Sequence, residues 1–308
     1  MTDAVGSVAK KAVKQYSTKK TDYIWAYVMI LPTILGVGIL NIWPIIHTIM
    51  ISFSKDLGFN NYQFQGLQNY QRFVADPIMW QSLGNSLLFT IMVAPLGVAL
   101  SLILAVLLNS KIRGRSFLRS LYFLPMVVAP AALSVIWTFI FSGDSGILNA
   151  VLRTFGFQGT NWLTNPSTVL MSISAVTIWS EVGYNAIILM AGLQNISSSY
   201  YEAAEIDGAG PVKSFISITL PQISPVLFFV LTTRVIFSLK QFDFVYMMVD
   251  ELSPVKDQAA TIVYRFYEQA FRIFDKGYAS AIAVVTLIII LFVTLLQFAG
   301  QKKWVNYD

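Results

Sequence analysis

Long uncharged apolar runs decide what this chain can fold into. Three runs, 86–108, 120–141 and 279–298, contain no charged residue. A fourth, 24–53, has His47 as its one ionisable group. Two more, 169–193 and 226–249, are apolar but interrupted: the first by Glu181, the second by Arg234, Lys240 and Asp243. A helix crossing bilayer hydrocarbon needs about 20 apolar residues, and each run is long enough. Inside lipid the backbone must satisfy its own hydrogen bonds, so only helices and closed barrels span it. Barrel strands alternate apolar and polar residues; these runs do not. The expectation is an all-α membrane protein of six transmembrane helices. Prolines 32, 44, 95, 125 and 130 fall inside the runs and predict kinks.

Composition agrees. Hydrophobic residues are 56% of the 308, and charged residues 12%. A soluble domain carries about 25% charge. Disorder needs the opposite balance, rich in charge and poor in apolar residues. The chain has no cysteine and one histidine. Disulfide scaffolds, thiolate metal sites and a zinc catalytic centre are therefore not expected. The net charge of +5 could suggest nucleic acid, but its placement argues for a topology signal.

Short cytoplasmic loops are enriched in Lys and Arg. Twelve basic residues fall on one side of the expected membrane: Lys10, Lys11, Lys14, Lys19, Lys20, Lys111, Arg113, Arg115, Arg119, Lys213, Lys302 and Lys303. Seven fall on the other: Lys55, Arg72, Arg153, Lys256, Arg265, Arg272 and Lys276. Both termini are thus expected in the cytoplasm. The reading gives a basic cytoplasmic tail at 1–23, a single transmembrane domain at 24–300, and a cytoplasmic tail at 301–308. The first apolar stretch is too long for a signal-peptide core and no small-residue cleavage site follows it, so it reads as a retained span. No repeat of 20–50 residues is visible. Outer loops fall at about 55–85, 142–168 and 250–278. In the last, Ile262, Val263, Phe266, Ala270, Phe271 and Phe274 recur at helical spacing. They predict an amphipathic helix at the outer surface, with Glu268 and Arg272 paired four residues apart and a stop at 275–277.

Several motifs fail. The segment from Gly208 to Ser214 has Val212 where a phosphate loop needs glycine, and no strand precedes it. Gly36-Val37-Gly38 lacks the later glycine of a dinucleotide fingerprint. His47 has no acid beside it and reads as a packed or cavity-lining residue. The sequon at Asn195 falls on the cytoplasmic side.

The loop 194–225 is different. It contains Glu202-Ala203-Ala204, Asp207-Gly208-Ala209 and Gly210-Pro211, then Phe215, Ile218, Leu220-Pro221 and Pro225. This predicts two short helices with a break. One of Ser197, Ser198 and Ser199 caps the first. Gly208 allows a turn with positive φ, and Gly210-Pro211 starts the second helix. Pro221 is expected to end it. Ala203 and Ala204 would form a thin face for close approach by another protein. Surface anchors usually carry several Lys or Arg. This loop carries acids and one Lys, so a docking helix is the better reading.

The pattern EAA-x2-DGA-x5-F-x2-I-x-L-P-x3-P resembles the EAA loop of inner-membrane permease subunits of binding-protein-dependent ABC importers. Trp25 to Pro44, Asn69-Tyr70, Phe73, Phe242-Asp243, Tyr246 and 277–281 resemble the carbohydrate branch, nearest its maltose-type "F" permeases. The likeness covers roughly 24–300. A Thr-Gly-Gly-Gly-Pro-like turn common in such permeases is replaced here by 249–254. The resemblance implies a multi-pass protein of the bacterial plasma (inner) membrane that is not itself an enzyme. Glu202, Ala203, Ala204, Asp207, Gly208, Ala209 and Phe215 would couple it to a dimer of ATP-binding subunits, which hold ATP and Mg. This chain would bind no cofactor. A second permease would complete the path, and an extracytoplasmic solute-binding protein would deliver a sugar.

Charge within the membrane is costly, so intramembrane ionisable groups tend to pair or face a watery cavity. Glu181 and Arg234 are open to either role. Offset matching to maltose-type relatives implies a substrate path along Thr177, Glu181 and Tyr184 on one helix and Arg234, Phe237 and Ser238 on the other, with Lys240 beyond. Two bases in one span would favour acidic sugars. Rival readings remain: an importer of another solute such as glycerol phosphate, an amino acid or an ion, or an ion-gradient transporter, which would need inverted halves.

Overall fold

The computed structural model describes residues 20–58, 61–110 and 113–306, with side chains from residue 23 onward. Residues 1–19 of the expected basic tail at 1–23, and Lys111, lie outside these residues. The chain divides into two units, residues 1–50 and 51–308. The first contains α1 (Lys20–Val37), a π-helical turn at Gly38–Ile42, and the start of α2 (Trp43–Ser52). The wide π turn lies just ahead of Pro44, whose ring clashes with a regular preceding turn. Within this unit Trp43 stacks on His47, with ring centroids 6.1 Å apart.

The second unit opens with a small hairpin, β1 (Ser54–Asp56) against β2 (Tyr62–Phe64). α3 (Gln68–Ala75) follows, then α4 (Pro77–Asn109). Asp76 caps α4 through the amide of Ile78, and Pro77 occupies the first helical position, where its missing N–H costs nothing. α4 has 33 residues, longer than the expected run 86–108, because the polar turns before Ser86 continue the helix past the apolar stretch. α8 (Val169–Gln194) is the other central helix.

Phe89 and Val93 of α4 meet Val169, Ile173 and Val176 of α8 in one buried cluster. Val98, Ala105 and Leu108 meet Ala186, Leu189 and Leu193 in a second, joined by Ile223 and Val230. Lipid offers no hydrophobic drive for this pairing. Close packing of small residues and buried hydroxyls supplies it instead. Ser86, Thr90 and Ser101 each donate their hydroxyl to a carbonyl four residues earlier, so these three hydroxyls are satisfied within α4. Gly183 of α8 allows an unusually near crossing: a Cβ there would lie 1.8 Å from the carbonyl oxygen of Tyr122.

The expected continuous span 120–141 is broken. α5 (Arg115–Val127) and α6 (Pro130–Ile140) meet at 99°. Pro125 and Pro130 are the cause. Each removes a backbone donor, and the residue before proline is pushed to extended conformation; Val128 and Ala129 have ψ of 135° and 137°. Among the described residues, five helical runs are long and apolar enough to cross a membrane, or six if this bent pair counts as one.

α7 (Ile147–Thr154) lies in the loop before α8. Asn149 is fully buried there; its Nδ2 donates to the carbonyls of Ser142, Gly143 and Thr160, and its Oδ1 accepts from Trp162 Nε1 at 2.8 Å. After α8 come α9 (Ser198–Ile206), α10 (Pro211–Ser214), a π turn at Phe215–Thr219, and α11 (Leu220–Leu239). α11 stops ten residues short of the expected end at 249. The chain turns at 240–242 and continues as α12 (Asp243–Met248) and α13 (Lys256–Ala259).

A helix lies where the amphipathic one was expected, as α14 (Ile262–Tyr267) and a π turn at Glu268–Arg272, but its faces differ: Arg265 and Gln269 are buried, while Phe271 and Phe274 are exposed. Its pairing differs from the i,i+4 expectation. Glu268 accepts from Lys256 Nζ at 2.7 Å and from Arg265 Nη1 at 2.7 Å, while Arg272 pairs with Glu251. The π turn changes the angular spacing of 268 and 272, and loop 250–257 supplies nearer partners. Burial raises the cost of ionising Glu268, but its bonds from Lys256 and Arg265 outweigh that and hold the carboxyl below its usual range. Arg265 also donates to Ser82 Oγ at 3.0 Å and Asp257 Oδ1 at 2.5 Å. It fastens the segment between α11 and α15 to α4. Phe274, with φ of 61°, turns the chain into α15 (Lys276–Gln301), which Asp275 caps through the amide of Tyr278.

Candidate functional site

Two places hold the residues picked out from sequence. The first is the loop between α8 and α11. Ser197 caps α9, accepting from the amide of Ser199 at 3.4 Å. The other end of α9 explains the Asp-Gly-Ala triplet. Gly208 has φ of 72°, its amide bonds the carbonyl of Glu205, and the amide of Ala209 bonds that of Ala204 at 2.8 Å. This is a Schellman closure with glycine at the left-handed position, which satisfies the last carbonyls of the helix. Gly210 then caps α10 and Pro211 opens it, as expected. Tyr201 and Thr219 join the two arms by a hydroxyl bond of 2.9 Å.

Pro221 does not end the second arm. The π turn at Phe215–Thr219 leads straight into α11, where Pro221 sits in the first turn and needs no donor. The second arm is therefore continuous with a membrane-spanning helix, and the Tyr201–Thr219 bond ties the first arm to it as a lever. Glu202, Ala203, Asp207 and Gly208 are exposed on it. Ala204 is turned inward at 9% exposure, so the expected Ala203–Ala204 face reduces to Ala203. Phe215 is half-buried and, with Ala209, lines a 450 Å³ cavity under the bend. Ile206, Val212 and Ile216 stand out into the open, Ile206 at 87% exposure. These three were not singled out from sequence, although an isoleucine between Glu205 and Asp207 was a visible signal. Bare apolar side chains beside acids make a surface suited to a protein partner.

The second place lies between α8 and α11. Glu181 and Arg234, left open as pair or substrate contacts, form an ion pair. The Arg234 side chain is 6% exposed and that of Glu181 23%. The guanidinium also lies 4.9 Å from the centre of the Phe237 ring. Thr177 and Ser238 are buried; the Thr177 hydroxyl donates to Ile173 O at 2.9 Å. Tyr184 and Phe237 are exposed. Lys240 is not part of this group. It lines a separate 400 Å³ cavity among Ile236, Val263, Phe266 and Thr286. Three nearby buried atoms have no partner: Nε of Arg234, Nδ2 of Asn185 and Oγ1 of Thr232. Asn185 stands one turn beyond Glu181, a spacing readable in the sequence but not used. Among the described residues no cluster of His, Asp or Glu could hold a metal ion.

Three comparisons bear on this geometry. The probable ABC transporter permease protein YesP of Bacillus subtilis (strain 168) is 33% identical over 302 residues, covering 96% of each chain. The arabinooligosaccharides transport system permease protein AraP of the same organism is 32% identical, covering 94% of this chain and 91% of its own. The sn-glycerol-3-phosphate transport system permease protein UgpA of Pectobacterium atrosepticum is 31% identical, covering 92% and 95%. In fold, the chain resembles a bacterial ABC transporter involved in the import of the acidic polysaccharide alginate. That match has a TM-score of 0.81 at 21% identity, over 93% of this chain and 98% of that one. The family model for the binding-protein-dependent transport system inner membrane component matches residues 95–305. With its spanning helices and EAA loop placed as they are, this chain belongs to that family of ABC importer permeases.

Proposed function

We propose that this chain forms half of the transmembrane path of an ATP-driven oligosaccharide importer in a bacterial plasma membrane, with both termini in the cytoplasm. A second permease completes the path. Separate ATP-binding subunits drive it, and an extracytoplasmic binding protein delivers the solute. The single observation carrying this reading is the lever: α9 presents Glu202, Ala203, Ile206 and Asp207 outward, turns at Gly208 into α10, and is tied by the Tyr201–Thr219 bond to the π turn through which α10 runs without a break into α11. A push on that surface is transmitted along a membrane-spanning helix. ATP and Mg belong to the partner subunit in this account.

Relatives named for arabinooligosaccharides support a sugar as solute. Tyr184 and Phe237 offer faces for sugar rings, and Thr177, Glu181, Arg234 and Ser238 the polar groups beside them. UgpA, named for glycerol phosphate, keeps a second solute in view. A phosphate needs uncompensated positive charge, however, and the Arg234 guanidinium is already engaged by Glu181. The same neutralisation weighs against the acidic-sugar preference suggested by two bases in one span.

The test is a tagged purification from gently solubilised membranes, with co-purifying chains identified. An ATP-binding chain and a second EAA-bearing permease are expected. A chain that purifies alone refutes the proposal.

A further inference from the structure

A second aromatic site lies outside the span pair, in the outer loop. A 460 Å³ cavity is lined by Thr138 of α6, Tyr246 of α12, Tyr264 of α14, and the charged side chains of Asp250, Glu251 and Arg272. Its volume falls within the range of about 300–1,000 Å³ usual for small-molecule sites. It differs from the larger groove between α4, α5, α6 and α8, whose lining is almost wholly hydrocarbon and suits lipid or a neighbouring helix.

A row of aromatic rings backs Tyr246 in the cavity wall. Phe242 stacks on Tyr246 with centroids 5.1 Å apart and planes 19° apart. Tyr267 crosses Tyr246 at 5.0 Å, and their hydroxyls bond at 3.3 Å. Phe271 closes the row against Tyr267 at 5.4 Å. Arg265, bonded to Ser82, Asp257 and Glu268, anchors the element that carries Tyr264 and Tyr267. A fixed aromatic face flanked by carboxylates and a guanidinium suits a sugar ring. The ring's C–H face packs on the aromatic, and its hydroxyls bond to the charged groups at low entropic cost. The lining carries two carboxylates against one guanidinium, so its balance is negative and repels a uronate.

We propose that this cavity is an outer subsite for one neutral sugar residue, holding the oligosaccharide ahead of the membrane path with Tyr246 as its platform. This rests on the sugar-importer reading above.

The test uses the assembled importer purified in nanodiscs, without its binding protein. Presence of the ATP-binding chain is checked first; its absence would fail the importer reading, not this one. Saturation-transfer NMR is then recorded with maltohexaose, arabinohexaose, xylohexaose and a galacturonate hexamer, since it reads weak binding. At least one neutral hexaose is expected to give signal, about tenfold weaker in Tyr246→Ala than in Tyr246→Phe, which keeps the ring. Thr138→Trp, which fills the cavity from an exposed position on α6, is expected to abolish it if Tyr246→Ala does not assemble. Three outcomes overturn the proposal: no signal from any neutral hexaose, a stronger signal from the galacturonate, or signal unchanged in Thr138→Trp. Variants that lose binding-protein capture while sugar signal stays intact would mark the cavity as a protein contact and also overturn it.

Discussion

The Glu181–Arg234 pair makes an asymmetric prediction. Breaking a buried ion pair from one side leaves a charge without a partner, at about 3–5 kcal/mol when that charge is fully buried. The two sides are not equal here. The Arg234 side chain is 6% exposed and its Nε already lacks a partner, whereas Glu181 is 23% exposed. Glu181→Gln therefore strands a guanidinium in the interior and should cost about 3–4 kcal/mol. Arg234→Met leaves a carboxylate that can turn to water, and should cost about 1–2 kcal/mol. Replacing both by Met removes both desolvation terms and should return stability to within about 1 kcal/mol of the parent. The assay is the thermal midpoint of the detergent-solubilised chain, followed by size-exclusion recovery. A loss of about 3 kcal/mol corresponds to roughly 5 °C at this chain length. Equal losses for the two single variants, or a double variant as unstable as their sum, would refute the argument that the pair serves mainly to neutralise Arg234. Uptake adds a functional reading. If Arg234 selects acidic sugars, Arg234→Ala should lower acidic uptake alone; the pairing predicts equal loss for neutral and acidic solutes.

Three further outcomes follow from the geometry. Gly208→Ala places a side chain at φ of 72°, costing about 1–2 kcal/mol and loosening the end of α9; uptake should fall with membrane insertion unchanged, and Gly208→Asn should be milder. Asn149→Ala leaves Trp162 Nε1 and three loop carbonyls without their partner, at about 2–3 kcal/mol; limited proteolysis should then cut within 142–168. Glu268 has a native carboxyl held below its unfolded value, so the unfolded chain binds more protons and stability rises with pH through that window. Its contribution is complete above the ordinary carboxylate range and lost as pH falls through the depressed native value; Glu268→Gln should flatten the acid limb of a midpoint-against-pH curve.

Spans were legible because lipid imposes one demand on every residue in a run. α4 and α15 follow directly from uncharged apolar length, and α8 from an apolar run interrupted by Glu181. The lever was legible from Gly208 and Gly210-Pro211, where only a few residue types suit the backbone. Breaks were harder to place. Pro95 sits inside an unbroken α4, while Pro125 and Pro130 together give a 99° bend; number and spacing decided this, and the runs of apolar letters looked alike. The end of α11 at Leu239 was hidden because α12 is also apolar, so hydropathy continued where the helix did not. Pairing was hidden for a different reason. Arg265 meets Ser82, 183 residues away, a contact with no local signature. The Glu181–Arg234 pair was legible as an option because lipid makes two isolated charges costly, and Lys240 was misgrouped because the turn at 240 redirects it.

The central claim is that the exposed surface of the lever touches an ATP-driven partner. The absence of native cysteine makes a direct test clean. Ile206→Cys places a thiol at a side chain 87% exposed, next to Asp207. In membranes expressing the whole importer, a short bifunctional thiol cross-linker should join this variant to the ATP-binding chain, with a yield that changes when ATP is added. A matching variant at Leu252, 93% exposed on the opposite side, should give no such product. No adduct at Ile206, or an equal one at Leu252, would contradict the account.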